Sequence, residues 1–80
     1  MTTADKRALI ALVNVLVEAA REAYLDGQEG APLSPIFMAF AEVGISYNEF
    51  MGMVDIAVAS GRIKRVDAGT IAYVEQTAKQ

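Results

Sequence analysis

Few side chains in this chain have the type and spacing that chemistry requires. Glu18 and Glu22 lie four residues apart, a spacing that places two carboxylates on one helix face as a possible acid pair. Arg21 lies between them, so a solvated, charge-balanced face is the simpler interpretation. The chain has no cysteine and no histidine, and therefore lacks a thiol nucleophile and the commonest general base and metal ligand. We predict a non-enzymatic protein with no catalytic residue, no metal and no cofactor.

A short basic strip offers a second kind of chemistry, contact with nucleic-acid phosphates. The candidate residues are Arg62, Lys64 and Arg65, with Lys6 and Arg7 as further bases. Residues 18–55, by contrast, contain seven acidic side chains and one basic side chain, and the whole chain has a formal net charge of −3. Such a field repels phosphate over most of the surface, so the strip predicts only weak, salt-sensitive nucleic-acid binding. The alternative, which we favour, is that these charges protect an edge strand from pairing with other chains.

The best-defined local pattern lies near the middle of the chain. Ser46 and Glu49 have the spacing of a capping box, in which each side chain satisfies a free backbone N–H at a helix start. Ile45 and Phe50 flank these two residues with the spacing of a hydrophobic staple. Gly44 can end the preceding helix by adopting a positive φ. The pattern predicts a helix, a tight turn and a second helix.

Apolar residues at helical spacing predict the first and third helices. The first helix covers residues 4–25, with Thr3 as its cap and Asp26–Gly27 as its end. The third helix covers residues 47–60 and ends at Gly61. Its predicted inward-facing side chains are Phe50, Met53, Val54, Ala57 and Val58.

The second helix is predicted from its cap. Ser34 is the expected N-cap and Pro35 the first helical residue, so the helix covers residues 35–43. Its predicted inward-facing side chains are Ile36, Phe37, Phe40 and Val43.

After Gly61 the apolar period changes from that of a helix to that of a strand. Residues 62–66 and 70–74 read as a β-hairpin, with the turn at 67–69 and Gly69 at positive φ. A short edge strand is expected at 31–33. We therefore predict an α+β fold of three helices plus a C-terminal two-stranded β-hairpin.

The chain length fits a single domain over residues 1–80, with a core at about 5–74 and a polar tail at 75–80. Its first residues lack the basic and apolar regions of a signal peptide. The longest apolar run, 8–17, is interrupted by Asn14 and is too short to span a bilayer. We expect a cytoplasmic protein that does not contact membranes.

The first helix is apolar over a wider arc than one buried face requires. Beside its main stripe lies a second stripe, which predicts a homodimer interface formed by Ile10, Asn14, Val17 and Tyr24. Asn14 could pair with its own symmetry mate and set the register of such a dimer. The alternative is a covered core helix with a few tolerated aliphatic side chains on its surface.

This order of elements resembles the winged helix-turn-helix superfamily over about residues 5–74. The segments that carry the resemblance are the helix-turn-helix at 40–50, the helix end at Ser60-Gly61 and the wing strand at 62–65. The resemblance implies that the third helix reads DNA in the major groove and that the wing touches the DNA backbone. It equally implies small phage or mobile-element members that bind proteins, so fold alone does not choose between the two uses.

The composition of the third helix favours a protein partner. Its expected outer face carries no lysine or arginine, and base reading would rest on Asn48. The predicted partner-binding residues are Asn48, Glu49, Gly52, Asp55 and Ile56. Acidic and apolar residues together suit a partner with a basic surface. One specific form is an inhibitor of a nucleic-acid-binding complex, of the anti-CRISPR or DNA-mimic type, and the alternative is a winged-helix transcription regulator.

Overall fold

The computed structural model describes residues 3–75 and has an α+β fold, as predicted. Three helices pack against a small antiparallel sheet that has three strands, in the order β1-β3-β2. The elements are α1 (Thr3–Leu25), β1 (Ala31–Pro32), α2 (Leu33–Ala41), α3 (Tyr47–Ala59), β2 (Ile63–Asp67) and β3 (Thr70–Tyr73). The predicted tail beyond Glu75 lies outside the described residues, and Thr3 belongs to the first turn of α1 itself.

The core lies between α1, α3 and the inner face of the sheet. Leu16 of α1, Phe50 of α3 and Ile71 of β3 are completely buried within it. The predicted inner stripe of α3 is confirmed, because Phe50, Met53, Val54 and Ala57 are buried and Val58 packs against them. Burial of such side chains contributes about 1.5–3 kcal/mol each to stability, which makes α3 the central helix of the fold.

The start of α3 follows the predicted local chemistry. The Glu49 N–H donates to Ser46 Oγ at 3.1 Å, and the Ser46 N–H donates to Glu49 Oε1 at 2.9 Å, completing the capping box. These two contacts with Ser46, the backbone one first, lower the pKa of the Glu49 carboxyl. Ile45 is half-buried against the cluster that contains Phe50. Gly44 has a φ of 92°, as its predicted role as a helix end requires.

The prediction for α2 is wrong at both ends. The helix begins at Leu33, after Pro32 as N-cap, and Ser34 makes no capping bond. Leu33 is buried and its N–H donates at 2.9 Å to the carbonyl oxygen of Gly69, so a tertiary contact fixes this helix start. Val43 is 71% exposed rather than inward-facing, because the helix has already ended and its last carbonyls bond to the turn that leads to α3.

The sheet confirms the hairpin and the short edge strand. β3 is the central strand and pairs Ile71 with Ala31 on one side and with Arg65 on the other. Gly69 does not adopt the predicted positive φ. Instead, its N–H donates to the Asp67 carboxylate at 2.9 Å, and a register shift between Arg65 and Asp67 accommodates the turn.

Candidate functional site

The outer face of α3 carries a ridge of three exposed residues and one half-buried residue, Gly52. Its members follow the helical period and are Asn48, Gly52, Asp55 and Ala59, called here the α3 ridge. Three of the residues predicted to bind a partner, Asn48, Gly52 and Asp55, therefore lie on one line. Glu49 lies beside the ridge, where its carboxylate is occupied by the capping box.

Gly52 is the least expected member of the α3 ridge. A glycine in a helix interior costs about 0.5–1 kcal/mol relative to alanine, because it has more backbone freedom to lose. A Cβ built at Gly52 meets no atom within 4 Å, and its φ is not positive. Neither packing nor backbone conformation within the chain requires a glycine at this position.

The basic strip is largely engaged within the chain. Arg65 forms an ion pair with Asp55 of the α3 ridge. The Arg62 guanidinium donates to Asn14 Oδ1 on α1 at 2.7 Å. Lys64 is exposed and has no ion-pair partner among the described residues. Residues predicted for opposite kinds of partner thus contact each other, which reduces both the acidity of the ridge and the positive charge of the basic strip.

A shallow apolar groove of about 200 Å³ lies between α1 and α3. We call it the α1–α3 groove, and its lining residues are Leu9, Ile10, Val13, Asn14, Ile56, Ser60 and Arg62. Ile10 is 60% exposed and Ile56 is 45% exposed, so each side of the groove has a large aliphatic side chain that is exposed to solvent. The structure therefore moves Ile56 from the predicted partner face to a surface that it shares with two of the predicted dimer residues.

The predicted dimer interface changes in composition. Val17 is only 3% exposed because it packs in the core of its own chain, so it is removed from the interface. The Tyr24 hydroxyl donates to Glu75 Oε1 at 2.7 Å, and its ring lies 5.6 Å from that of Tyr73. The bond to Glu75, with the negative charge of that residue, raises the pKa of Tyr24. Ile10, Asn14 and Tyr24 remain on the surface.

A smaller hollow of about 110 Å³ lies between α2, the start of α3 and the hairpin turn. Phe37 and Tyr47 line this hollow, and their rings pack edge to face at a centroid distance of 5.4 Å. Phe40 is buried and Met38 is exposed, so the apolar residues of α2 divide between core and solvent. This arrangement places the hollow at the margin of the core.

On α1, the carboxylate of Glu18 is paired with Arg21. Arg21 bonds to Glu18 at 3.1 Å on the helix surface, in the charge-balanced arrangement that the spacing favoured. Among the side chains that the structure describes, no cluster of three or more acidic residues could hold a metal ion. None of the described helices has the length and apolar character needed to cross a membrane.

Sequence reasoning missed the groove and the contact that borders it. Arg62 and Asn14 are 48 residues apart, and no local pattern links them. One sequence signal pointed toward the groove. Ile56 is a large aliphatic residue on a helix face whose other residues are small or polar. Comparison of the chain with protein-family models, with curated proteins and with solved structures finds no match.

Proposed function

We propose that this chain is a non-catalytic module that binds a protein partner through the α3 ridge. The observation that carries this proposal is Gly52, which costs helix stability although an added Cβ would meet no atom within 4 Å. A glycine on the surface of a helix lets a partner backbone or side chain approach the helix closely. Because no contact within the chain requires a glycine at this position, Gly52 supports a requirement set by a partner molecule.

The charges around the ridge support a protein partner over nucleic acid. Asn48 is the ridge residue suited to base reading, and no ridge member is basic. Arg65 is paired with Asp55, so phosphate contact through it would first break an ion pair. The use that the winged-helix resemblance implies, DNA binding by a transcription regulator, is the alternative and would rest on Arg62 and Lys64.

An inhibitor of a nucleic-acid-binding complex is a more specific form of the proposal. Acidic side chains outnumber basic ones in residues 18–55, and this region includes Asn48, Gly52 and Asp55 of the α3 ridge. An acidic surface beside a helix that a partner can approach closely is complementary to a partner groove that normally binds nucleic acid. Addition of the chain to a purified RNA-guided DNA-binding complex tests this form, with loss of target-DNA binding as the expected result.

The decisive experiment compares binding of the same variants to protein and to DNA. Immobilised chain is used to capture partners, which are quantified by mass spectrometry, and anisotropy measures binding to random-sequence duplex at low salt. Gly52→Leu should remove the protein partner while its folding, checked by circular dichroism, is retained. Glu49→Gln is the matched electrostatic variant, because glutamine removes the charge and keeps a capping acceptor.

The opposite result has an equally clear signature. Submicromolar duplex binding that falls steeply with salt, is lost in Arg62→Ala plus Lys64→Ala and survives in Gly52→Leu would establish the DNA-binding alternative.

A further inference from the structure

The two acidic side chains at the α3 ridge, Glu49 and Asp55, are both engaged within the chain. The Glu49 carboxylate accepts the Ser46 N–H of the capping box at 2.9 Å. The Asp55 carboxylate accepts a hydrogen bond from the Arg65 guanidinium, which reaches it from strand β2. A basic group of a protein partner that approaches either acid therefore meets a donor that is already in place.

These two contacts differ in how easily a partner can replace them. The donor to Glu49 is a backbone N–H at a helix start, so its loss would weaken the cap of α3. The donor to Asp55 is a flexible side chain, and an exposed ion pair of this kind contributes little net stability. The Asp55 side chain is 70% exposed, so a basic group can reach it from solvent without movement of the backbone. Asp55 is therefore the acid at which exchange can occur.

The hairpin does not depend on the ion pair for its position. Ile63 and Ile71 are completely buried on its inner face. The Leu33 N–H also donates to the carbonyl oxygen of Gly69 at 2.9 Å, which joins the hairpin turn to α2. The hairpin therefore stays in place when Arg65 leaves the Asp55 carboxylate.

We propose that Arg65 is an intramolecular competitor for Asp55, and that it holds the place which a basic side chain of the protein partner takes on binding. This inference rests on the proposed function, because it assumes that the α3 ridge binds a protein. Within the basic strip, Arg62 bonds to the neutral amide of Asn14, and Lys64 has no ion-pair partner among the described residues. Binding at Asp55 is then the exchange of one ion pair for another, and Arg65 lowers the affinity for basic groups that displace it poorly.

Exchange also determines how binding responds to salt. Salt screens the internal ion pair as well as the ion pair that forms with the partner, so the two effects partly cancel. Removal of Arg65 should therefore make binding at Asp55 both tighter at low salt and more sensitive to added salt.

The test measures binding of a tri-arginine peptide, acetylated and amidated, to the full chain. The amide shifts of the α3 ridge in the isotope-labelled protein restrict the measurement to peptide bound there. Arg65→Ala should bind the peptide about threefold more tightly than Lys64→Ala, a coupling of the size that exposed ion pairs show. Lys64→Ala is the matched control, because it removes the same charge from the adjacent position of β2, where the side chain points to the opposite face of the sheet.

Asp55→Asn completes the test, because it removes the group for which Arg65 competes. In that background, Arg65→Ala and Lys64→Ala should bind the peptide equally, and circular dichroism checks that every variant is folded. Equal binding by the two variants when Asp55 is present, or a difference that persists in Asp55→Asn, would overturn the proposal. Weaker binding by Arg65→Ala would overturn it as well, since Arg65 would then belong to the binding surface.

Failure of this inference is distinguishable from failure of the proposed function. The peptide titration requires no identified partner, whereas the proposed function fails when Gly52→Leu still captures the protein partner. A partner that is lost in Gly52→Leu, together with a peptide affinity that is the same in Arg65→Ala and Lys64→Ala, would reject the competition alone.

Discussion

Gly30 and Gly52 show how differently two regions of this chain use the same residue. At Gly30, before the edge strand β1, an added Cβ would lie 2.7 Å from Thr70 Cγ2 and 3.0 Å from the Ile71 carbonyl oxygen. At Gly52, on the outer face of α3, an added Cβ would meet nothing within 4 Å. The first glycine is required by the packing of the fold, whereas the second lowers stability without a structural return. The difference separates residues that the fold explains from residues on which the proposed partner binding rests.

A substitution on the inner face of α3 should cause the largest loss of stability in this comparison. Phe50 is fully buried and contacts the rings of Phe37 and Phe40 at centroid distances of 5.4 and 5.3 Å. Phe50→Ala should lower the free energy of unfolding by about 3–5 kcal/mol, because it removes apolar burial and leaves a cavity. Urea denaturation measures the loss, and Tyr47→Ala, at an exposed ring of the same helix, should cost far less.

Gly30→Ala tests the packing requirement directly. The substitution should lower the free energy of unfolding by about 1–3 kcal/mol, because the methyl group overpacks against Ile71 backbone that is fixed in the central strand. Gly69→Ala is the matched control, since a Cβ there meets nothing within 4 Å and φ is not positive. Equal thermal stability of the two variants would contradict the assignment of Gly30 to the fold.

The capping box of α3 contributes an intermediate effect. Ser46→Ala removes the acceptor of the Glu49 N–H and should cost about 1 kcal/mol of stability. Ser34→Ala, at the residue that sequence alone assigned as the cap of α2, should be close to neutral, because Ser34 makes no capping bond. If thermal denaturation shows the two serines to be equivalent, the distinction between a local and a tertiary helix start is wrong.

Gly52→Ala should act in the opposite direction. The isolated chain should gain about 0.5–1 kcal/mol, because alanine reduces backbone freedom in the unfolded state and fits the open space. Ala11→Gly, on the exposed side of α1, should cost a similar amount and serves as the converse change. Guanidinium denaturation detects both shifts, and a loss of stability in Gly52→Ala would show that this glycine has a structural role.

The smallest expected effect concerns Glu49, which belongs both to the helix cap and to the predicted partner-binding set. Its pKa is lowered in the folded state, so its ionised form adds stability that is complete above the ordinary value of 4.5 and is lost as pH falls through the folded pKa. The difference in Tm between the native chain and Glu49→Gln should therefore shrink between pH 6 and pH 3. A difference in Tm that does not change with pH would show that the charge of Glu49 does not contribute to the cap.

The sequence by itself determined the features that depend on neighbouring residues. The capping box, the helix ends at Gly27 and Gly61, the positive φ of Gly44 and the inward face of α3 all agree with the structure. Their hydrogen bonds and dihedral angles involve residues three to five positions apart, so residue types and spacing suffice to predict them. The number of helices and the hairpin follow from the same local signals.

Only the tertiary structure decided which side chains meet on the surface. The bond from Arg62 to Asn14, the ion pair of Arg65 with Asp55 and the burial of Val17 depend on how α1, α3 and β2 pack together. The start of α2 was decided in the same way, by the bond of the buried Leu33 to the hairpin turn. These contacts join residues that are far apart in the sequence. The burial of apolar area brings them together, and because this driving force is non-directional, it produces no spacing pattern in the sequence.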